Sequence, residues 1–117
     1  MNYDFKYQDD LLIIKLSGSA ETNERLLAKK MLLLSLRPSC RKIIVDLEDF
    51  RGRKGVYNAG VLNTLQKEIQ LMGGEMKLCS LSPEVSRYFK ENRLDEIFDI
   101  MPSIEQAKRS FCEKKYD

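Results

Sequence analysis

The chain has no histidine and no tryptophan, and its 117 residues include three prolines and six glycines. Histidine is the commonest general acid–base residue in catalytic sites and a frequent ligand in zinc sites. Its absence therefore removes the most usual functional group of each kind of site. The sequence also lacks linkers, repeats and low-complexity tracts. We therefore expect a single domain over residues 1–117, large enough to form one core without disulfides or metal.

Cysteine is scarce as well. Cys40, Cys79 and Cys112 are far apart, odd in number and form no CxxC pair. This pattern is typical of buried or half-buried thiols in a reducing cytoplasm, and it makes a zinc site improbable. We expect neither a metal nor a cofactor.

No charge of one sign dominates, because the sequence contains 20 basic and 18 acidic residues and the net charge is +2. Such a balance provides no global field that would attract nucleic acid. The N-terminal MNYDFKYQDD lacks the basic start and apolar stretch of a signal peptide. The apolar-rich LLAKKMLLLSL contains two lysines and is too short to cross a bilayer. We expect a cytoplasmic protein that is not embedded in a membrane.

What is present is a regular alternation of strand and helix patterns. Two predicted strands joined at Asp9-Asp10 form an N-terminal hairpin. The first helix is predicted from Thr22 or Asn23 to Arg37, and the second from near Asn58 to the glycines Gly73-Gly74. Two further helices are predicted to begin after Ser82-Pro83-Glu84 and after the capping box SIEQ. The predicted strands are YDFKYQ, LLIIKLSG, KIIVDL, EMKLCSL and IFDIM. The order ββαβαβαβα, with about four helices, predicts an α/β fold with one mostly parallel mixed sheet and right-handed crossovers.

This order and several strings resemble the STAS domain, which bacterial anti-sigma factor antagonists share with the tails of sulfate transporters. The matching strings are LLIIKLSGSAET, KIIVDLEDF and LQKEIQLMGGEMKLCSLSPEVSRYFKENRLDEIFDIMPSIEQA. The resemblance covers almost the whole chain. It implies a bacterial signalling protein that regulates transcription by binding another protein.

The chain departs from the family where antagonists carry Asp-Ser-Ser-Gly, with a phosphorylated serine at the start of the second helix. Here the equivalent stretch is RKGVYNAG, and Gly55, Val56, Tyr57 and Asn58 occupy the serine region. The next Ser or Thr downstream is Thr64, about two turns into the predicted helix. No phosphorylation is therefore expected at the family position.

The basic loop that contains Arg51, Arg53 and Lys54 has three interpretations. It is a solvated surface loop, a contact for an acidic or phosphorylated partner at a helix N-terminus, or an anion pocket formed with the glycines nearby. The third lacks the Gly-Lys-Ser/Thr of a Walker loop. Tyr57 either covers the core beside Phe50 or acts with Asn58 in the partner contact.

The acidic residues after the third strand, Asp46, Glu48 and Asp49, allow a receiver-like phospho-acceptor site. Such a site also needs an acidic pair after the first parallel strand, whereas Asp9-Asp10 precede it. The alternative is a turn-forming aspartate that caps local amides.

The predicted N-terminal helix carries leucines on more than one face. Leu32 and Leu36 lie opposite its main apolar stripe, so they are either covered by a neighbouring element or form a dimer or partner surface.

From these features the leading hypothesis is a non-catalytic interaction module. It would bind an anti-sigma factor, a kinase-type partner or another STAS protein through Arg51, Arg53, Lys54, Tyr57 and Asn58, without the serine switch. The alternative is an anion- or nucleotide-binding domain that uses the basic loop 51–60. An enzyme has the weakest support, since the usual acid–base and nucleophilic groups are missing.

Overall fold

The computed structural model describes residues 2–8, 10–18, 30, 41–50 and 60–113. Within these residues the elements are β1 (Asn2–Gln8), β2 (Leu11–Gly18), β3 (Lys42–Phe50), α1 (Gly60–Leu71), β4 (Glu75–Cys79), α2 (Pro83–Glu91), a 3-10 helix (Leu94–Glu96), β5 (Asp99–Met101) and α3 (Ile104–Glu113). Most of the predicted N-terminal helix lies outside this set, but Lys30 is described and is helical.

The five strands form one sheet in the order β1-β2-β3-β4-β5. The hairpin strands β1 and β2 are antiparallel, and each later pair is parallel. The predicted α/β class and mostly parallel mixed sheet are therefore confirmed. Four strand boundaries differ from the prediction. β1 begins one residue earlier, at Asn2, and β4 ends two residues earlier, at Cys79. β3 continues to Phe50, and β5 begins at Asp99 because a 3-10 helix precedes it.

The two faces of the sheet bury different clusters. Alternate residues of β2, β3 and β4 form the larger cluster with α1, α2 and Phe98. The opposite face is covered by α3, where Ala107 and Phe111 pack against Ile13, Ile44 and Cys79. Ile104, Ala107 and Phe111 recur at helical spacing in the sequence, and the structure buries this apolar face of α3 against the sheet.

Local signals end and begin the helices where the sequence predicts. The Ser82 hydroxyl accepts a hydrogen bond from the Val85 backbone N–H at 3.3 Å, with Pro83 at the first turn of α2. The Ser103 hydroxyl accepts from the Gln106 N–H at 3.2 Å. After α1, Gly73 adopts a φ of 79°, and the Gly74 N–H donates to the Ile69 carbonyl at 2.9 Å.

None of the described helices combines the length and the apolar character that crossing a membrane would require.

Candidate functional site

The candidate site is the carboxyl edge of the parallel strands, where β2, β3 and β4 end. The register places Gly18 beside Phe50 and Asp46 beside Cys79. Ligand and partner sites of open α/β sheets gather at this edge because strand ends and helix starts meet there. We call the described residues of this edge the rim; they are Lys15, Ser17, Asp46, Glu48, Asp49, Cys79 and Ser80.

The predicted partner-binding residues Arg51, Arg53, Lys54, Tyr57 and Asn58 lie outside the described residues, as do Gly55 and Val56 of the family's serine position. Leu32 and Leu36 also lie outside them. What the structure defines is the two ends of this stretch. Phe50 is 2% exposed and Leu62 is fully buried, and both belong to the larger core cluster. The end of β3 and the first turn of α1 are therefore both held by the same core cluster.

A β-bulge shapes the end of β3. Lys15 pairs with Asp46 and Ser17 pairs with Asp49, so β3 has one more residue than β2 over this span. The Asp46 carboxylate accepts a hydrogen bond from the Glu48 backbone N–H at 3.0 Å inside the bulge. Since the bulge changes the alternation of side chains, Phe50 points into the core.

Asp46 is itself buried, with 5% of its surface exposed. Its hydrogen bond to a backbone amide two residues later agrees with the interpretation of an aspartate that caps local amides, although it does so within a bulge of β3 rather than in a turn. Among the described residues no group of three or more Cys, Asp or Glu side chains could hold a metal ion. The receiver-like arrangement is therefore not assembled by the described part of the rim.

Lys15 and Asp49 form an ion pair across the rim, with 3.1 Å between Nζ and Oδ2. The hydrogen bond with Asp49 and the negative charge of that carboxylate raise the pKa of Lys15. Both side chains are partly exposed. This lysine is thus engaged by a carboxylate of its own chain.

Cys79 ends β4 and is fully buried. Burial raises the pKa of the Cys79 thiol to about 11, so the group stays protonated at neutral pH. Since the thiolate is the reactive form, Cys79 is a packing residue rather than a nucleophile. The free, buried state of Cys79 agrees with the prediction for the cysteines, while the side chains of Cys40 and Cys112 lie outside the described set.

The sequence reasoning missed two hydroxyl groups at the rim, those of Ser17 and Ser80. Ser17 pairs with Asp49, and Ser80 follows Cys79 with a φ of 61°, which is unusual for a residue other than glycine. Both are partly exposed. Their position at the carboxyl ends of two parallel strands is the signal that would have found them, because such strand ends share one edge.

A shallow cavity of about 250 Å³ lies next to the rim, on the sheet face that α3 covers in part. The described residues that line it include two acidic and two basic ones: Phe5, Ile13, Ile104, Asp4, Asp46, Lys6 and Lys15. Acidic and basic groups balance there. The cavity therefore offers no net attraction to an anion.

The STAS domain family model matches residues 2–107. A Thermotoga maritima protein provisionally described as an anti-sigma factor antagonist is 27% identical, with a TM-score of 0.76 and 92% of each chain covered. The fold also matches a variant of RsbS from Moorella thermoacetica, at 12% identity, a TM-score of 0.80 and full coverage of both chains. It matches the unphosphorylated anti-sigma factor antagonist SpoIIAA at 16% identity, a TM-score of 0.74 and 97% coverage of each chain. The family match over residues 2–107, which agrees with the strand order of the sheet, shows that this chain belongs to the STAS domain family.

Proposed function

We propose that this STAS domain is a non-catalytic module that binds a regulatory protein, an anti-sigma factor of the kinase type or another STAS protein, through the segment between β3 and α1. The observation that carries this proposal is the anchoring of both ends of that segment. Phe50 and Leu62 belong to one core cluster, so the described residues on either side of that segment are fixed in the core. Anchored loops on a rigid sheet are the usual location of binding residues.

The chemistry of the described rim supports docking rather than catalysis. The Asp46 carboxylate is engaged by a backbone amide, Asp49 by Lys15, and the Cys79 thiol is buried and protonated. General acid–base or nucleophilic catalysis needs a group that is free to exchange a proton or attack a substrate. A buried free thiol is also in keeping with a reducing cytoplasm, where we place the protein.

The second part of the proposal is that binding is not switched by a serine at the start of α1. Residues 55–58 read Gly-Val-Tyr-Asn, so the position lacks a serine or threonine hydroxyl. Binding is then constitutive, controlled through the partner, or switched at another hydroxyl. Among the described residues, Ser17 and Ser80 at the rim and the exposed Thr64 in α1 are candidates for such a switch.

The binding test compares the wild type with the double variant Arg51→Glu/Arg53→Glu in titrations against kinase-type anti-sigma factors of the same genome. Reversing two charges at the contact is expected to weaken binding by about tenfold or more. The matched control is Lys67→Glu/Arg87→Glu, which reverses two exposed basic residues on α1 and α2. Equal affinity for the wild type and the loop variant would show that the basic loop is only a solvated surface.

The switch is tested by incubating the chain with the binding partner and ATP, followed by mass spectrometry of peptides. We expect no phosphate within residues 55–58. Phosphorylation of Tyr57 would overturn the proposal that binding is not switched at the family's phosphorylation position. Modification of Ser17, Thr64 or Ser80 would show that the switch has moved within the domain.

A small-anion or nucleotide site in residues 51–60 is the alternative. Titration with GTP, ATP and phosphate at millimolar concentration, followed by amide signals of residues 51 to 60, distinguishes it. Local saturable shifts with no protein partner would favour the ligand-binding function. Unchanged spectra would leave the docking function in place.

A further inference from the structure

The hairpin strand β1 forms one edge of the sheet. It pairs with β2 along its whole length, and no other strand of the described part of the chain pairs with its outer side. Alternate backbone N–H and C=O groups of an edge strand point away from the sheet and can accept a further strand. The seven residues Asn2–Gln8 contain neither proline nor glycine, which are common means of blocking such an edge.

The outer strand also exposes aromatic surface. Phe5 is 47% exposed and Tyr7 is 38% exposed, and their rings meet edge to face with centroids 5.8 Å apart. Asp4 and Lys6 lie on the other face of the strand, because the register places them beside Lys15 and Ile13. One face of β1 thus presents aromatic side chains, and the other presents one acid and one base.

The sequence of β1 is complementary to itself when a second copy runs in the opposite direction. An antiparallel register centred on Phe5 places Asn2 opposite Gln8, Tyr3 opposite Tyr7 and Asp4 opposite Lys6, with Phe5 opposite Phe5. Each of these pairs joins like with like or acid with base, and such cross-strand pairs stabilise a sheet.

Neighbouring registers lack this complementarity. A shift by two residues places Lys6 opposite Lys6 or Asp4 opposite Asp4, and like charges in directly opposed positions are destabilising. A shift by one residue places charged side chains opposite aromatic ones. The charge pattern therefore favours one register when two copies of this strand pair, and this self-complementarity points to a second copy as the partner.

We propose that this chain forms a symmetric dimer in which two β1 strands pair antiparallel about Phe5 and join two five-stranded sheets into one. The contact is isologous, as in most homodimers, since each copy supplies the same surface. It leaves the rim of each copy accessible, so the dimer presents two partner-binding segments. Because a single strand pair buries a small area, the dissociation constant is expected to be about 10 to 100 µM.

The Gln8 end of the strand contributes least to the dimer. Lys108 of α3 donates a hydrogen bond to the Gln8 side chain at 3.1 Å within the same chain. Asp4, Phe5 and Lys6 at the centre of the register therefore decide whether the dimer forms.

The test is analytical ultracentrifugation of the full chain across the range of about 1 to 500 µM, which brackets the expected constant. The wild type is expected to pass from monomer to dimer. Asp4→Lys and Lys6→Asp, each alone, place like charges opposite each other at two symmetric positions and should weaken the dimer by about tenfold or more. Lys67→Glu, on the exposed surface of α1, is the control that should not change the constant.

Two rescue measurements separate lost pairing from lost folding. The double variant Asp4→Lys/Lys6→Asp restores the acid–base pairs and should dimerise like the wild type. An equimolar mixture of the two single variants should also associate, because each supplies the charge that the other lacks. Circular dichroism of each variant verifies that the fold is intact.

A chain that stays monomeric throughout the concentration range overturns the proposal. So does a dimer whose constant is unaffected by the single variants, or one that the double variant fails to restore. Loss of the dimer in Leu32→Ser/Leu36→Ser, with β1 variants behaving as wild type, would place the interface in the predicted N-terminal helix instead.

Discussion

Lys77 of β4 forms an ion pair with Asp99 of β5, and the strand register sets the two residues directly opposite each other. Lys77 is 1% exposed, whereas the Asp99 side chain is 47% exposed. The Lys77 Nζ also lies 4.9 Å from the centroid of the Phe111 ring. A buried ammonium group is thus compensated by a carboxylate from the edge strand and an aromatic ring from α3.

This arrangement predicts unequal effects of removing its two partners. Asp99→Ala leaves the buried ammonium without its carboxylate and should lower the free energy of unfolding by about 1–3 kcal/mol. Lys77→Met removes the charge but keeps the buried stem, and should change it by less than about 1 kcal/mol. Urea unfolding of both variants measures the difference. A larger loss for Lys77→Met would contradict this account.

The bulge in β3 predicts that Asp46 matters as a hydrogen-bond acceptor rather than as a charge. Asp46→Asn keeps a side-chain oxygen for the Glu48 N–H and should alter the free energy of unfolding by less than about 1 kcal/mol. Asp46→Ala removes the acceptor and should lower it by about 1–2 kcal/mol. Chemical denaturation tests both. Equal losses for the two variants would mean that the carboxylate charge is what stabilises the strand end.

Cys79 predicts a pH dependence of stability in the alkaline range. Burial raises the pKa of the folded thiol from its ordinary value of 9.0 to about 11, so the folded state holds the proton more tightly than the unfolded state. The stability that results is complete below pH 9 and is lost as the pH rises through 11. The free energy of unfolding of the wild type should therefore fall by about 2 to 3 kcal/mol more than that of Cys79→Ala over this interval.

The Cys79→Ala variant is the control for the lysines and tyrosines that titrate in the same range. Parallel stability curves for the two proteins would show that the thiol is not linked to folding.

The turn after α1 predicts a graded response to alanine. Gly73 has a positive φ, so Gly73→Ala should lower the free energy of unfolding by about 1 kcal/mol. At Gly74 a Cβ would lie 2.9 Å from the Arg41 carbonyl oxygen and 3.0 Å from Ile69 Cγ2. Because a carbonyl of the backbone cannot easily move aside, Gly74→Ala should lower it by about 1–3 kcal/mol.

Leu71→Ala serves as the control at the same helix end, since Leu71 is 81% exposed and should change stability by less than about 0.5 kcal/mol. Thermal unfolding of the three variants ranks them by stability. A Gly74→Ala protein as stable as the wild type would show that the backbone near Arg41 can shift.

The sequence predicted those features that depend on a few consecutive residues. The hairpin at Asp10, the Ser82 and Ser103 caps and the glycine stop after α1 all appear where their patterns indicate. The alternation of strands and helices also predicted one mostly parallel sheet, whereas the order of the strands within it is known from the structure. Of the candidate site, the sequence located the edge of the sheet but not the hydroxyls of Ser17 and Ser80 that border it.

Tertiary structure alone decided the features that join residues distant in the chain. The bulge at Asp46 depends on the register between β2 and β3, so the pattern KIIVDL placed the end of the strand too early. Lys77 is buried because α3 covers that face and Asp99 arrives opposite it from 22 residues away. Local periodicity determines which element forms, whereas burial and charge compensation are properties of the assembled sheet.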